Sequence, residues 1–315
     1  MADIGTDIGK AIHILQQNEL VAIPTETVYG LAGNALEPNA IAKIYLTKNR
    51  PYFDPLITHV DRLEKVLELV TDIPEIALQL AKKFWPGPLT LLLPKKEGIP
   101  DLLTSGLDNM AIRIPNHSLT LDLLRDLTFP LAAPSANPFG YVSPTNAKHV
   151  NDQLGEKISY ILDGGDSQVG LESTILSIQG EQINVHRLGG LTLESLRPFG
   201  TIKLLLNQKS NPKAPGQLDA HYAPGKKMIV GNLQALVKLH PYEDTAIISF
   251  KTRYNHPGKQ VVLSPQGDLS QAATHLFGAL RLMDHPEVSL IISEWVPEEG
   301  IGRAINDRLK RASFI

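Results

Sequence analysis

The sequence predicts an α/β protein: a twisted mixed sheet with helices in the first two hundred residues, then a smaller Rossmann-like α/β unit. Three observations carry this. Short runs of Val, Ile and Leu alternate with stretches whose apolar residues recur at spacings of three and four. The alternation stops over 206–227, which has three prolines and no apolar period. It resumes at 228 and continues to the end of the sequence.

Taken in order, 21–24 is an apolar strand closed by proline. Asn39 is placed to cap a helix with Ile41, Ile44 and Tyr45 on one face. Residues 56–60 form a strand, and Asp61 caps the next helix. The stretch 74–85 is amphipathic, with Ile76, Leu80 and Phe84 in register, and 89–93 and 110–114 are strands. A helix over 121–127 and a strand over 130–133 follow. Ser143 stands as N-cap and Pro144 as first residue of a helix to 154. Strands at 160–163, 173–178 and 183–187 complete this part. Beyond the break, strands at 228–230, 245–250, 260–263 and 289–295 alternate with helices at 235–239, 269–283 and 303–313. The expected division is 1–206, a linker at 207–227, and 228–315. A structureless connection of that length is uncommon and often functional.

Composition narrows the function. With 43% hydrophobic and 20% charged residues among 315, the chain has ample material for a core. It has no cysteine, which excludes disulfides, thiolate nucleophiles and cysteine-ligated zinc. No apolar run is long enough for a membrane helix, and the first residues lack a secretory pattern, so a cytoplasmic location is expected. Residues 1–206 hold 17 Lys and Arg against 23 Asp and Glu, a balance of −6, and the remainder carries +3. That is not the footprint of a wide nucleic-acid grip, so no stable nucleic-acid binding is expected.

Five segments carry candidate chemistry. Thr25, Glu26, Thr27 and Tyr29 follow the first apolar strand, where ligands of open α/β sheets bind, although a turn rich in side-chain-to-backbone bonds looks the same. Lys48 and Arg50 end a helix and suit its dipole. Two cations leaving on an extended exit before Pro51 also suit a polyphosphate. Pro134 and Pro138 frame Ser135 and Asn137, with Ser143 close behind as part of an anion cradle. Ser173 and Thr174 open a strand, and Arg187 precedes Gly189 and Gly190. No P-loop, G-x-S-x-G, H-E-x-x-H or G-x-G-x-x-G occurs. Catalysis by positioning and charge neutralisation fits better than a covalent nucleophile.

Together, P-T-E-T-V-Y-G-L at 24–31, K-N-R-P-Y-F-D-P-L at 48–56, P-G-P-L-T-L-L at 86–92, A-I-R-I-P at 111–115, A-P-S-A-N-P-F-G at 133–140, S-T-I at 173–175 and R-L-G at 187–189 resemble the threonylcarbamoyl-AMP synthase family with its YrdC-like domain. The likeness covers about 8–200 in the right order. His221 to Gly225 and the following α/β unit resemble the long two-domain form. The resemblance implies a YrdC-like catalytic domain over 1–206 and condensation of L-threonine, bicarbonate and ATP to threonylcarbamoyl-AMP. Pyrophosphate is released, and the product passes to a tRNA threonylcarbamoyl transferase system. It implies Lys48 and Arg50 as catalytic residues, and Thr25, His59, Arg113, Ala133 and Ser173 around threonine. Lys48, Arg50, Tyr52, Met110, Ser135, Asn137, Ser143, Arg187 and Tyr222 would contact ATP. The implied cofactor is Mg2+ held mainly by the phosphates, with no protein metal ligands, and Gln217–Gly225 would form a lid. Two other readings are an RNA-binding module, disfavoured by the acidic first part, and carbamoyl transfer in metallocentre maturation, disfavoured by the lack of cysteine-rich modules.

Overall fold

The computed structural model describes residues 1–206 and 222–313. Fifteen strands are assigned among them. They are β1 (Asp3–Gly5), β2 (Val21–Ile23), β3 (Gly30–Asn34), β4 (Ile57–His59), β5 (Leu89–Pro94), β6 (Asn109–Arg113), β7 (Leu131–Ala132) and β8 (Tyr160–Leu162). Then come β9 (Thr174–Gln179), β10 (Gln182–Arg187), β11 (Thr201–Leu204), β12 (Lys227–Val230), β13 (Thr245–Ser249), β14 (Gln260–Val262) and β15 (Leu290–Ser293). The first eleven make one mixed sheet in the order β1-β8-β2-β3-β7-β4-β6-β5-β9-β10-β11. The last four make a separate, all-parallel sheet in the order β12-β15-β13-β14. Parallel strands need crossovers, which is why helices such as Leu269–Met283 lie between them.

The central strands are buried on both faces and read as continuous apolar runs, as in Leu89–Pro94. Each fully buried Leu or Ile contributes about 1.5–3 kcal/mol. One apolar cluster runs from Leu31 and Ile112 through Tyr222 to Phe277 and Leu309, so the two sheets share a core. Gly170 marks how closely they meet. Its φ is +73°, and an added Cβ would lie 2.4 Å from the Cα of Thr274 on the helix of the smaller sheet.

Several sequence expectations need correction. The helix Pro38–Lys48 is capped by Glu37, whose side chain accepts from the Asn39 N–H, because Pro38 takes the first helical position and moves the cap back. Asp61 does not cap the helix Leu63–Leu69; its carboxylate pairs with Arg62 and Lys65. The helix expected from Pro144 begins at Ala147, capped by Asn146, because the Ser143 hydroxyl is taken by Glu172. The exit after Lys48 is not extended. Asn49 turns left-handed (φ 53°) and sends the two cations different ways. The structure adds β1, β3 and the helix Ile8–Gln16, which the sequence reading passed over. Of the expected linker, 207–221 lies outside the described residues, and β12 begins at Lys227.

Candidate functional site

Strand register gathers the site. β4 and β6 run parallel with His59 opposite Arg113. β5 pairs in parallel with β9 and sets Leu89 opposite Thr174, next to Ser173. Between Val185 and Arg187 the β9–β10 ladder shifts register, and such a bulge re-aims the side chain beyond it. Gly30 bridges to Ser135, and the Leu31 N–H donates to the Pro134 carbonyl. The result is a cavity of about 50 Å³ lined by Thr25, Thr27, Val28, Gly30, Arg50, Ile57, His59, Arg113, Ala133, Pro134, Ser135, Glu172, Ser173, Arg187 and Tyr222.

Thr25, Arg113, His59, Ser173 and Arg187 are each held by neighbours. The Thr25 hydroxyl donates to the Val28 carbonyl and accepts from the N–H groups of Thr27 and Val28, so it also builds the turn. Arg113 pairs with Glu26 at 2.6 Å, donates to the Thr27 hydroxyl at 2.8 Å and to the Gly87 carbonyl. His59 Nδ1 contacts the Ile57 carbonyl at 3.2 Å. A carbonyl only accepts, so Nδ1 carries the proton and Nε2 keeps its lone pair. Burial, and then the charge of Arg113, push the His59 pKa down to about 3, so the ring is neutral. Ser173 contacts the Thr90 hydroxyl and accepts from Arg187, whose Nε donates to the Ser173 carbonyl. Burial also lowers the pKa of Arg187. An added Cβ on Gly189 would lie 2.2 Å from the Glu172 carbonyl, so only glycine lets this exit lie against the 172–173 segment.

Of the residues expected here, Thr25, Arg50, His59, Arg113, Ala133, Ser135, Ser173, Arg187 and Tyr222 reach the cavity. Arg50 is paired with Asp54 at 2.9 Å and donates to the Asp54 and Pro55 carbonyls. Five expected residues stay off the wall. Lys48 is buried and donates to the carbonyls of Ser135 and Asn137, fixing that loop from behind. With burial as the main cause and Arg50 adding to it, its pKa falls well below the usual lysine range. The Asn137 amide donates to the Pro138 and Tyr141 carbonyls. Ser143 stands behind Glu172. Tyr52 is exposed and rests on Tyr45 with ring centroids 5.0 Å apart, and Met110 is packed in the core opposite Leu93. Among the described residues no three His, Asp or Glu side chains gather where they could hold a metal.

The family model covering Sua5, YciO and YrdC proteins, described as "Telomere recombination", matches residues 13–189. A second, described as "Threonylcarbamoyl-AMP synthase, C-terminal domain", matches 182–313. The threonylcarbamoyl-AMP synthase of Pyrococcus abyssi is 40% identical over 96% of this chain and 93% of its own length. The chain belongs to the threonylcarbamoyl-AMP synthase family. It is thus an enzyme, of the nucleotidyltransferase class expected. The Bacillus subtilis threonylcarbamoyl-AMP synthase is 38% identical over 97% of this chain and 92% of its own. The crystal structure of P. abyssi Sua5 complexed with L-threonine superposes with a TM-score of 0.92 at 37% identity, covering 99% of this chain and 97% of that one. For this family member, sequence reasoning missed two charged residues at the site, Glu172 on the wall and Arg308 behind it, and named Glu26 without its pairing to Arg113. Glu172 stood immediately before the quoted S-T-I at 173–175, overshadowed by its hydroxyl neighbours. Arg308 had one signal, a cation three residues from Ile305 on the face that also carries Leu309 and Ala312.

Proposed function

We propose that the chain condenses L-threonine, bicarbonate and ATP into threonylcarbamoyl-AMP with release of pyrophosphate, for threonylcarbamoyladenosine formation in tRNA. The observation that carries this reading is one cavity holding Arg50, Arg113 and Arg187 beside a neutral histidine and the Ser173 hydroxyl. Guanidinium groups recognise carboxylate and phosphate, and a neutral imidazole accepts a hydroxyl proton.

In the reaction the threonine amine forms a C–N bond with the bicarbonate carbon, and water is lost. A carbamate oxygen then forms a bond to the α-phosphorus while the bond to the bridging β-oxygen breaks and pyrophosphate leaves. His59 Nε2 accepts from the threonine hydroxyl, and Arg113, fixed by Glu26 and Thr27, faces its carboxylate. Arg50 and Arg187 offset charge on the triphosphate, and Lys48 acts by holding the loop that presents Ser135. Magnesium would arrive on the phosphates and help neutralise them. On the cavity wall the one carboxylate, Glu172, already accepts from Ser143 and Arg308, which suits a metal held by phosphate and water.

The cavity of about 50 Å³ has room for a few waters in this structure. Tyr222 reaches the wall from beyond β11, the last strand of the large sheet, in left-handed backbone at φ 65°. This supports a lid over Gln217–Gly225, of which residues 222–225 are described. The test is mass spectrometry of the product formed from labelled threonine and ATP, with pyrophosphate measured in parallel. Pyrophosphate release should require threonine, bicarbonate and ATP together. Release that ignores threonine would overturn the reading.

A further inference from the structure

The helix Gly302–Ala312 packs Ala304, Ile305, Leu309 and Ala312 into the shared core, and Arg308 sits among them, fully buried. A guanidinium in that position costs several kcal/mol unless it is paired. Its Nε donates to Glu172 Oε2 at 2.9 Å, its Nη2 to the Leu188 carbonyl at 2.8 Å and its Nη1 to Asp307 at 2.7 Å. The guanidinium carbon also lies 4.7 Å from the centre of the Tyr222 ring, within range of a cation–π attraction. Phe277 stacks on the same tyrosine at 5.6 Å. Glu172 and Tyr222 are cavity wall, and Leu188 follows Arg187 on that wall. No contact of Arg308 runs to His59, Arg113 or Ala133 on the other side.

We propose that Arg308 is a positioning residue for the nucleotide half of the site. It holds Glu172, Tyr222 and the strand exit after Arg187 in place, and so sets ATP affinity without touching either substrate. The assignment rests on the function proposed above. It gives the final helix a part in substrate binding, although Arg308 lies more than a hundred positions from Glu172 and Leu188.

The experiment is calorimetric titration of ATP and of L-threonine, separately, into the full chain and into Arg308→Met and Arg308→Lys. ATP affinity should fall about tenfold in Arg308→Met, while threonine affinity changes less than twofold. Lysine should recover only part of the loss, because one ammonium cannot reproduce the fork to Glu172 and Leu188. Equal loss of both affinities, or no loss of either, would mean a packing role only and would overturn the assignment. If Arg308→Met does not fold, Arg308→Met combined with Glu172→Gln removes the stranded carboxylate. That double variant must still bind ATP about tenfold more weakly, and wild-type affinity in it overturns the assignment. An unmodified chain that binds neither ligand sinks the proposed function itself, a result visible before any variant is made.

Discussion

Two buried arginine–glutamate pairs flank the cavity, and they are built in different ways. Arg113 and Glu26 both belong to the large sheet and its first loop, and the Asn116 N–H and Thr27 hydroxyl seal the pair. Arg308 and Glu172 join the last helix to the large-sheet part, and one oxygen of Glu172 goes to Ser143. The first pair is complete within the first 116 residues, whereas the second exists only once the two sheets have met. A buried pair is poor evidence of stability in itself, because desolvation offsets much of the attraction. Its placement at a cavity, with every remaining atom committed, is what marks it as site machinery.

Acid should separate the two pairs most strongly. His59, beside Arg113, has a folded pKa of about 3, below the unfolded value near 6.5. The unfolded state therefore takes up the proton first as pH falls. The stability linked to this group is full above pH 6.5 and is lost toward pH 3, at a limiting slope of about 1.4 kcal/mol per pH unit. Denaturant titrations across that window should show the slope, and His59→Gln should reduce it, leaving the share of His149, which burial pushes down to about 4. An unchanged slope would show that the ring is not buried neutral.

The next largest effect concerns the pairs directly. Arg113→Met should cost about 3–5 kcal/mol by stranding Glu26, and Arg113→Met with Glu26→Gln should regain most of it. Urea unfolding of both variants checks this, and a single variant costing as little as an exposed pair would contradict the burial argument. A smaller loss, about 1.5–3 kcal/mol, is expected for Ser143→Ala, which takes one hydrogen bond from a buried carboxylate on the Arg308 side. The same substitution should leave the acid slope intact, since Ser143 does not touch His59. Smallest is Tyr141→Phe. It removes a bond to Asp284 across the two sheets while the Gly225 N–H still donates to that carboxylate, and about 1 kcal/mol is expected in thermal unfolding. A loss as large as that of Arg113→Met would mean that contact between the sheets, and not the cavity wall, dominates stability.

Much of this was legible in the chain. Apolar periodicity located the helices Glu75–Phe84 and Leu269–Met283 and the strands around them. The motif segments named the loops that meet at the cavity, and nine of the expected side chains do reach it. Three of the expected side chains that stay off the wall are held elsewhere. Lys48 and Ser143 have side chains suited to a ligand, yet in this structure they are held by carbonyls and a carboxylate that come near only after folding, whereas Asn137 is held locally by the Pro138 and Tyr141 carbonyls. Caps slipped in the same way, since Ser143 could not serve both a helix end and Glu172.

By itself the sequence determined the α/β architecture, the family and the loops that carry the chemistry, because these rest on local periodicity and on short runs of neighbouring residues. Only the tertiary structure decided which atoms of those loops face the cavity and that Arg308 stands behind it. Pairing between residues 136 positions apart depends on where two separately formed sheets come to rest, and no local pattern encodes that distance.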